Sequence, residues 1–267
     1  MDRTKYTWNQ SHVMNCKKLS VLIALAGCAF AQTITVPQRY QGAITARTLK
    51  VSSTAIIVCD MWDKHWCTGA TRRVGKLVES MEPFLQKARA AGIQIIFAPS
   101  ETMNFYQDFP QRKAMLALPK VEPPVPLDLP DSPLPIDDKS GGCDTHDAVY
   151  KAWTRQHPGL TIAPQDLISD NGREVYSLLK QRHIENILVM GVHTNMCILN
   201  RTFAIKQMTR WGIPSLLVRD MTDSMYDPQD RPFVSHDKGT GLVIGYIEQN
   251  WAPSISSKDL LNSLKKP

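Results

Sequence analysis

Five consecutive apolar residues, Ala55-Ile56-Ile57-Val58-Cys59, run straight into a single acid, Asp60. A strand with one wet face alternates apolar and polar residues. A run without alternation is buried on both faces, which marks a central strand of a parallel sheet. Parallel strands need covering helices to connect them, and the chain supplies these. From Val74 to Ala91 the apolar residues Val74, Leu77, Val78, Met81, Phe84, Leu85 and Ala88 recur at helical spacing, with Gly92 placed to end the helix. Pro83 inside it predicts a kink or a join between two pieces. Ile93 to Ala98 is a second apolar run. The alternation returns as a helix over Asp170 to Arg182, a strand over Ile184 to Met190, a helix over Asn195 to Trp211, a strand over Ile213 to Val218, and a closing helix over Gly239 to Asn250. The expected fold is α/β: a three-layer, Rossmann-like parallel sheet with helices on both faces.

The pattern stops between Pro99 and Leu160, where seven prolines fall between Pro119 and Pro135 and Gly141-Gly142 follows. The stretch around 107–160 has no apolar periodicity of its own, so it reads as an insertion in a single domain over 32–267. It shapes or covers a pocket, on its own subunit or a neighbour's, or is simply a linker. The first 31 residues read as an export signal. Lys17 and Lys18 precede an apolar run from Leu19 to Phe30, and Ala29-Phe30-Ala31 is a small-x-small cleavage pattern. Met14 makes a more ordinary start than Met1. Leu25-Ala26-Gly27-Cys28 offers an alternative, a lipoprotein signal with a lipid anchor on Cys28. The run is too short to span a bilayer. The chain is therefore expected in a secreted or periplasmic location, with no membrane span. Half of the formal charge of +6 lies in this segment, and the remainder is too mild to argue for nucleic acid. Of six cysteines, Cys59, Cys67, Cys143 and Cys197 lie beyond it, too sparse to staple a chain of 267 residues, so at least one thiol invites a chemical explanation.

In α/β sheets the reactive groups collect beyond the carboxyl ends of the strands, which directs attention to Asp60 and to Gly191-Val192-His193-Thr194-Asn195-Met196-Cys197. Gly191 allows a tight turn, and Thr194 or Asn195 can cap the next helix. Cys197 then falls in its first turn, where free N–H groups and the helix dipole favour a thiolate and can hold an oxyanion. Asp60 at a neighbouring strand end can take the thiol proton and return it to a leaving group. Trp62 and His65, just past Asp60, can wall and hydrogen-bond a planar substrate; the alternative is that they cover the edge of the core.

With these residues in place, the chain resembles the isochorismatase-like cysteine hydrolases, which include nicotinamidases and N-carbamoylsarcosine amidases. The resemblance covers roughly residues 54 to 250 apart from the insertion. It rests on an Asp-ended first strand, on Gly-Val-His-Thr-Asn-Met-Cys at 191–197, and on Arg219-Asp220 after a later strand. It implies Cys197 as nucleophile and Asp60 as general base. It also implies an oxyanion site from the Cys197 N–H and a residue near His193 beside a non-proline cis peptide, and a homo-oligomer. The implied substrate is a small amide, carbamoyl or related C–N compound, with no cofactor. Two features depart from the family. Its catalytic Lys aligns near Ala163-Pro164, where none stands, leaving Arg155 or Lys151 as the replacement cation, with Arg155 preferred. Its metal motif aligns with Pro99-Ser100-Glu101-Thr102, which has no His, so no metal is expected there. A cluster of Asp60, His65, His193 and His236 matches no ligand spacing, and His236 reads as a residue near a helix cap. Loss of the Lys leaves open a degenerate member that binds a small ligand without turnover.

Overall fold

The computed structural model describes residues 32–265. The expected signal segment, Cys28 included, lies outside the described residues. The rest forms one eight-stranded sheet with helices on both faces. In chain order its strands are β1 (Thr33–Tyr40), β2 (Ala43–Lys50), β3 (Thr54–Cys59), β4 (Gln94–Ala98), β5 (Leu167–Ile168), β6 (Asn186–Val192), β7 (Ser215–Asp223) and β8 (Ser254–Ile255). The spatial order is β2-β1-β8-β7-β6-β3-β4-β5. From β8 to β5 every pairing is parallel, as the apolar runs predict. The other edge differs from that reading, because β1 and β2 form an antiparallel hairpin and β1 also meets β8 antiparallel. The hairpin turns on Gln41 and Gly42, both at positive φ, the backbone a tight two-residue hairpin requires.

The fully buried β3 shows why the runs are continuous. Ala55, Ile57 and Cys59 face one layer, with Val175, Leu178, Phe203, Met208 and Ile247. Ile56 and Val58 face the other, with Val74, Val78, Met81, Phe84 and Leu260. The second layer is built by α1 (Thr68–Ala90), one helix running through Pro83, together with α8 (Ser257–Leu264). The first is built by α4 (Gly172–Gln181), α5 (Cys197–Asn200), α6 (Ile205–Arg210) and α7 (His236–Asn250). Thus the helix expected over Asn195 to Trp211 is two short helices. Gly172, at the start of α4, explains the break. Its N–H donates to Thr202 Oγ1 at 2.9 Å, and a Cβ there would lie 2.0 Å from the Thr202 carbonyl oxygen. The segment 201–204 is thereby pinned against α4 and cannot continue the helical path.

The insertion is built into the fold. It follows α2 (Met103–Tyr106), begins with α3 (Pro110–Leu116), and then runs extended over the α4–α6–α7 face. Leu118, Val121, Leu129 and Leu134 pack on that core, and Asp131 pairs with Lys206 at 2.7 Å and accepts from the Tyr246 hydroxyl at 3.0 Å. Further on, Cys143 forms a disulfide with Cys67, a cross-link the sequence reading did not foresee, which leaves Cys59 and Cys197 as the free thiols among the described residues; the Cα atoms of the pair are 5.7 Å apart. Two residues beyond, Thr145 Oγ1 accepts from the Gly69 N–H, and Asp147 Oδ2 accepts from the Thr68 N–H at 2.7 Å. The insertion thus satisfies the first free N–H groups of α1, whose own preceding residue, Cys67, offers no capping oxygen.

Candidate active site

Gly191 brings the site together. It sits at φ 111°, and a Cβ on it would lie 2.0 Å from the Cys59 carbonyl oxygen. Only a residue without a side chain lets β6 approach β3 so closely at their carboxyl ends. As a result the loop after β6 closes over Asp60. The Val192–His193 peptide that opens this loop is cis. The His193 carbonyl then accepts from the N–H groups of Met196 and Ile198, which turns Cys197 back toward β3. The Cys197 N–H donates to no acceptor among the described residues.

Asp60 is fully buried and its two oxygens are both occupied. Oδ1 accepts from the Ser100 N–H at 2.7 Å, and Oδ2 accepts from Arg201 Nε at 2.9 Å. The Cys197 thiol lies close enough to this carboxylate for the two to shift one another's pKa. Burial pushes the Asp60 pKa up from the ordinary carboxylate value, while Arg201, Cys197 and Ser100 pull back. Burial first, and the Asp60 charge second, also raise the Cys197 thiol far above its usual range. This corrects the expectation of a dipole-stabilised thiolate, since α5 is a single turn and burial, with the Asp60 charge after it, outweighs what that turn offers. The resting arrangement is a buried carboxylate with a guanidinium on one oxygen and a protonated thiol beside it.

Arg201 is the cation that the sequence reading missed. Its guanidinium carbon lies 5.9 Å from the Trp62 ring centroid, and one terminal nitrogen reaches Glu101 Oε1 at 3.4 Å. Arg155, preferred from sequence, is exposed with its guanidinium over Phe105 and does not reach Asp60. Lys151 stands one step removed, bound to Glu101 Oε2 at 2.7 Å. A helical reading carried one signal for Arg201, because it lies four residues after Cys197, the spacing that places two side chains on one helix face.

Trp62, His65 and His193 are buried and do not line the cleft beside Cys197. Trp62 donates its indole N–H to the Ser100 carbonyl and stacks on Trp153 of the insertion with ring centroids 4.3 Å apart. His65 Nδ1 accepts from the Cys67 N–H at 3.1 Å, which fixes the neutral tautomer with its proton on Nε2. Burial lowers the His65 pKa to about 4 and that of His193 to about 3. His236 caps a different network. Its Nε2 meets Asp223 Oδ1 at 2.8 Å, and the other Asp223 oxygen holds Arg73. Of the four groups considered as a metal cluster, Asp60, His65 and His236 are committed to separate partners, while His193, whose buried Nε2 has no hydrogen-bond partner among the described residues, meets the His65 ring edge-on at 5.1 Å between centroids.

The cleft beside Cys197 has a volume of about 350 Å³. Cys197, Arg201, Asn195 and Asn200 line it from the loop after β6, and Leu134 and Asp138 line it from the insertion. No protein-family model matches the sequence, and no curated protein is similar to it at the level of sequence. Solved structures do match. A cysteine hydrolase from Pseudomonas syringae pv. phaseolicola 1448A superposes with a TM-score of 0.52 at 17% identity, over 81% of this chain and 94% of that one. A candidate isochorismatase from Burkholderia xenovorans LB400 gives 0.50 at 15% identity, over 80% of this chain and 88% of that one. The chain has the isochorismatase-like hydrolase fold. At these identities the likeness speaks for architecture, and the chemistry has to be argued from the residues.

Proposed function

We propose that this chain is an isochorismatase-like cysteine hydrolase that cleaves a small amide, carbamoyl or related C–N substrate through a thioester on Cys197, and that it acts after export. The observation that carries the reading is the buried Asp60 carboxylate, held by the Arg201 guanidinium and the Ser100 N–H with the Cys197 thiol beside it. Asp60 takes the thiol proton as sulfur attacks the carbonyl carbon, so a thiol too weakly acidic to ionise alone becomes nucleophilic during the reaction. The unpartnered Cys197 N–H faces the oxygen of the tetrahedral intermediate. Asp60 then passes the proton to the departing nitrogen, leaving a thioester. Water attacks that thioester with Asp60 again as base, releasing the acid and restoring the thiol. Arg201 draws the Asp60 pKa back down against the rise that burial causes.

Export is supported by the Cys67–Cys143 disulfide, a bond that persists in oxidising compartments. Mass spectrometry of the purified N-terminus tests this part: a chain starting after Ala31 or lipidated at Cys28 supports it, and a soluble chain starting at Met1 or Met14 removes it. The family's homo-oligomeric habit belongs to the same proposal, and sedimentation of the purified protein tests it.

For the chemistry, ammonia or amine release is measured over a panel of primary amides and N-carbamoyl compounds, with intact-protein mass spectra taken in parallel. Turnover is expected in the wild type together with an acyl adduct on Cys197. Cys197→Ala is expected to lose it by about 10⁴-fold or more, and Asp60→Asn to lose it comparably. Turnover retained in Cys197→Ala would falsify the assignment. No turnover over the panel, together with iodoacetamide alkylation of Cys197 no faster than that of the buried Cys59, assigns the chain to ligand binding without catalysis.

A further inference from the structure

The two walls of the cleft carry unequal charge. On one side Arg201 is fully engaged by Asp60 and Glu101, and Glu101 is engaged by Lys151. Two acids and two bases compensate one another there. On the other side stands Asp138, delivered by the insertion and half-buried. Among the described residues its carboxylate has no ion-pair partner. Its Oδ2 accepts a hydrogen bond from Asn195 Nδ2 at 3.0 Å, a neutral donor. Asn195 is 1% exposed. Its Nδ2 also donates to the Met225 carbonyl at 3.0 Å, and its Oδ1 accepts from the Met225 N–H at 2.8 Å. A buried amide gripped at both ends therefore holds a carboxylate without an ion-pair partner at the rim of the nucleophile's cleft, and Lys139 and Arg231, which line the neighbouring recess with it, form no ion pair with it. A fixed charge in a recess walled by low-dielectric protein attracts ligands of the opposite sign.

The geometry points to Asp138 as the residue that sets specificity, selecting a substrate that carries an ammonium or guanidinium group together with its scissile carbonyl. The cationic group pairs with Asp138 while the carbonyl meets Cys197, and Leu134 offers an apolar wall to the carbon chain between them. This deepens the proposed function and rests on Cys197 as the reacting thiol. The insertion then does more than cover the pocket, since it supplies the group that chooses the substrate's charge.

Charged thiol reagents sharing one leaving group test the idea without a known substrate. The probes are methyl methanethiosulfonate, its cationic 2-(trimethylammonium)ethyl analogue and its anionic 2-sulfonatoethyl analogue. In each, Asp60 takes the Cys197 proton, the Cys197 sulfur bonds to the reagent's divalent sulfur, and methanesulfinate leaves. Rates at Cys197 are read by peptide mass mapping, and each is divided by the same reagent's rate with free 2-mercaptoethanol, which removes the intrinsic preference of a thiolate for the cation. The cation is expected to exceed the anion by about tenfold in the wild type, within the range that electrostatic steering provides. Asp138→Asn keeps an oxygen for Asn195 and removes only the charge, so the ratio is expected to fall close to one; an unchanged ratio overturns the assignment. A second measurement covers an inert thiol. In Cys197→Ser protein, n-butylammonium is expected to shift the Asn195 and Asn200 side-chain NMR signals where n-butyrate does not, and Asp138→Asn is expected to abolish the difference. Charge-selective binding with a thiol inert to all three reagents leaves Asp138 in its role and removes the thioester chemistry. Equal binding of cation and anion removes Asp138.

Discussion

Asp60 has competing demands on one carboxyl group, and its pH behaviour follows from them. Complete burial raises its pKa from 3.8, and Arg201, Cys197 and the Ser100 N–H restrain the rise. A base must be ionised to accept the thiol proton, so activity is lost as pH falls through the Asp60 pKa, which lies above the ordinary carboxylate value. The Cys197 thiol sits far above neutrality, so it adds no second limb there. The expected kcat/KM profile is a single acid limb, lying above the range of an ordinary carboxylate and rising to a plateau, measured on any substrate found in the amide panel. Removing the guanidinium in Arg201→Gln should move that limb upward, while Arg155→Ala should leave it in place. An Arg201→Gln limb that stays where it was would detach Arg201 from the base. His65 and His193 add an independent effect on stability. Their folded pKa values, about 4 and about 3, lie below the unfolded value of 6.5. Below pH 6.5 the unfolded chain binds protons that the folded one refuses, and stability should fall as pH drops through that window. Urea melts between pH 7 and pH 4 read this directly.

At the scale of elements, legibility followed burial. The strands β3, β4, β6 and β7 stood out because both of their faces are covered, so apolar residues run without interruption. The hairpin β1–β2 did not, since most of β2 is exposed on both faces and Ala43-Ile44-Thr45-Ala46-Arg47 carries no period. β5 and β8 have two residues each and exist only through their neighbours. The break between α5 and α6 was invisible because its cause, the contact of Gly172 with Thr202, lies 30 residues away in the chain. Glycine positions allow a paired test of this account. Gly191→Ala places a Cβ 2.0 Å from the Cys59 carbonyl at a positive φ. It should cost more than about 2 kcal/mol of unfolding free energy, in the range of severe backbone conflicts, and slow alkylation of Cys197. Gly75→Ala, inside α1 with open space around the added carbon, should instead stabilise by about 0.5–1 kcal/mol. If both changes cost alike in chemical melts, the close approach of β3 and β6 is not what Gly191 provides.

Across the whole molecule, long-range closure matters most, and it was the least legible part. Neither the Cys67–Cys143 pairing nor the path of the insertion has a local signal; both depend on segments 76 residues apart meeting at the carboxyl edge of the sheet. The insertion is fastened at two ends. Asp131 with Lys206 and Tyr246 holds it to the α6–α7 face, and the disulfide with the Asp144–Arg73 pair holds it to the start of α1. Between them lies Asp138 at the cleft. Cutting one fastening should therefore loosen the insertion before it loosens the sheet, whose core is built largely from other residues. In the loop-entropy view a cross-link closing a span of this length contributes up to about 4.5 kcal/mol, but that applies to global unfolding only where the whole molecule opens at once. The double change Cys67→Ser with Cys143→Ser should first expose the segment between Pro119 and Asp147 to limited proteolysis, with the intact sheet recovered as a folded fragment. The melting temperature should fall as well, by an amount set by how much of the insertion stays docked through Asp131. Preferential modification of Cys197 by the cationic reagent should weaken in the same variant, because Asp138 is then held from one side only. Protease resistance equal to that of the wild type would mean that the packing of Leu118, Val121, Leu129 and Leu134 is enough to hold the insertion, and that the disulfide serves the start of α1 instead.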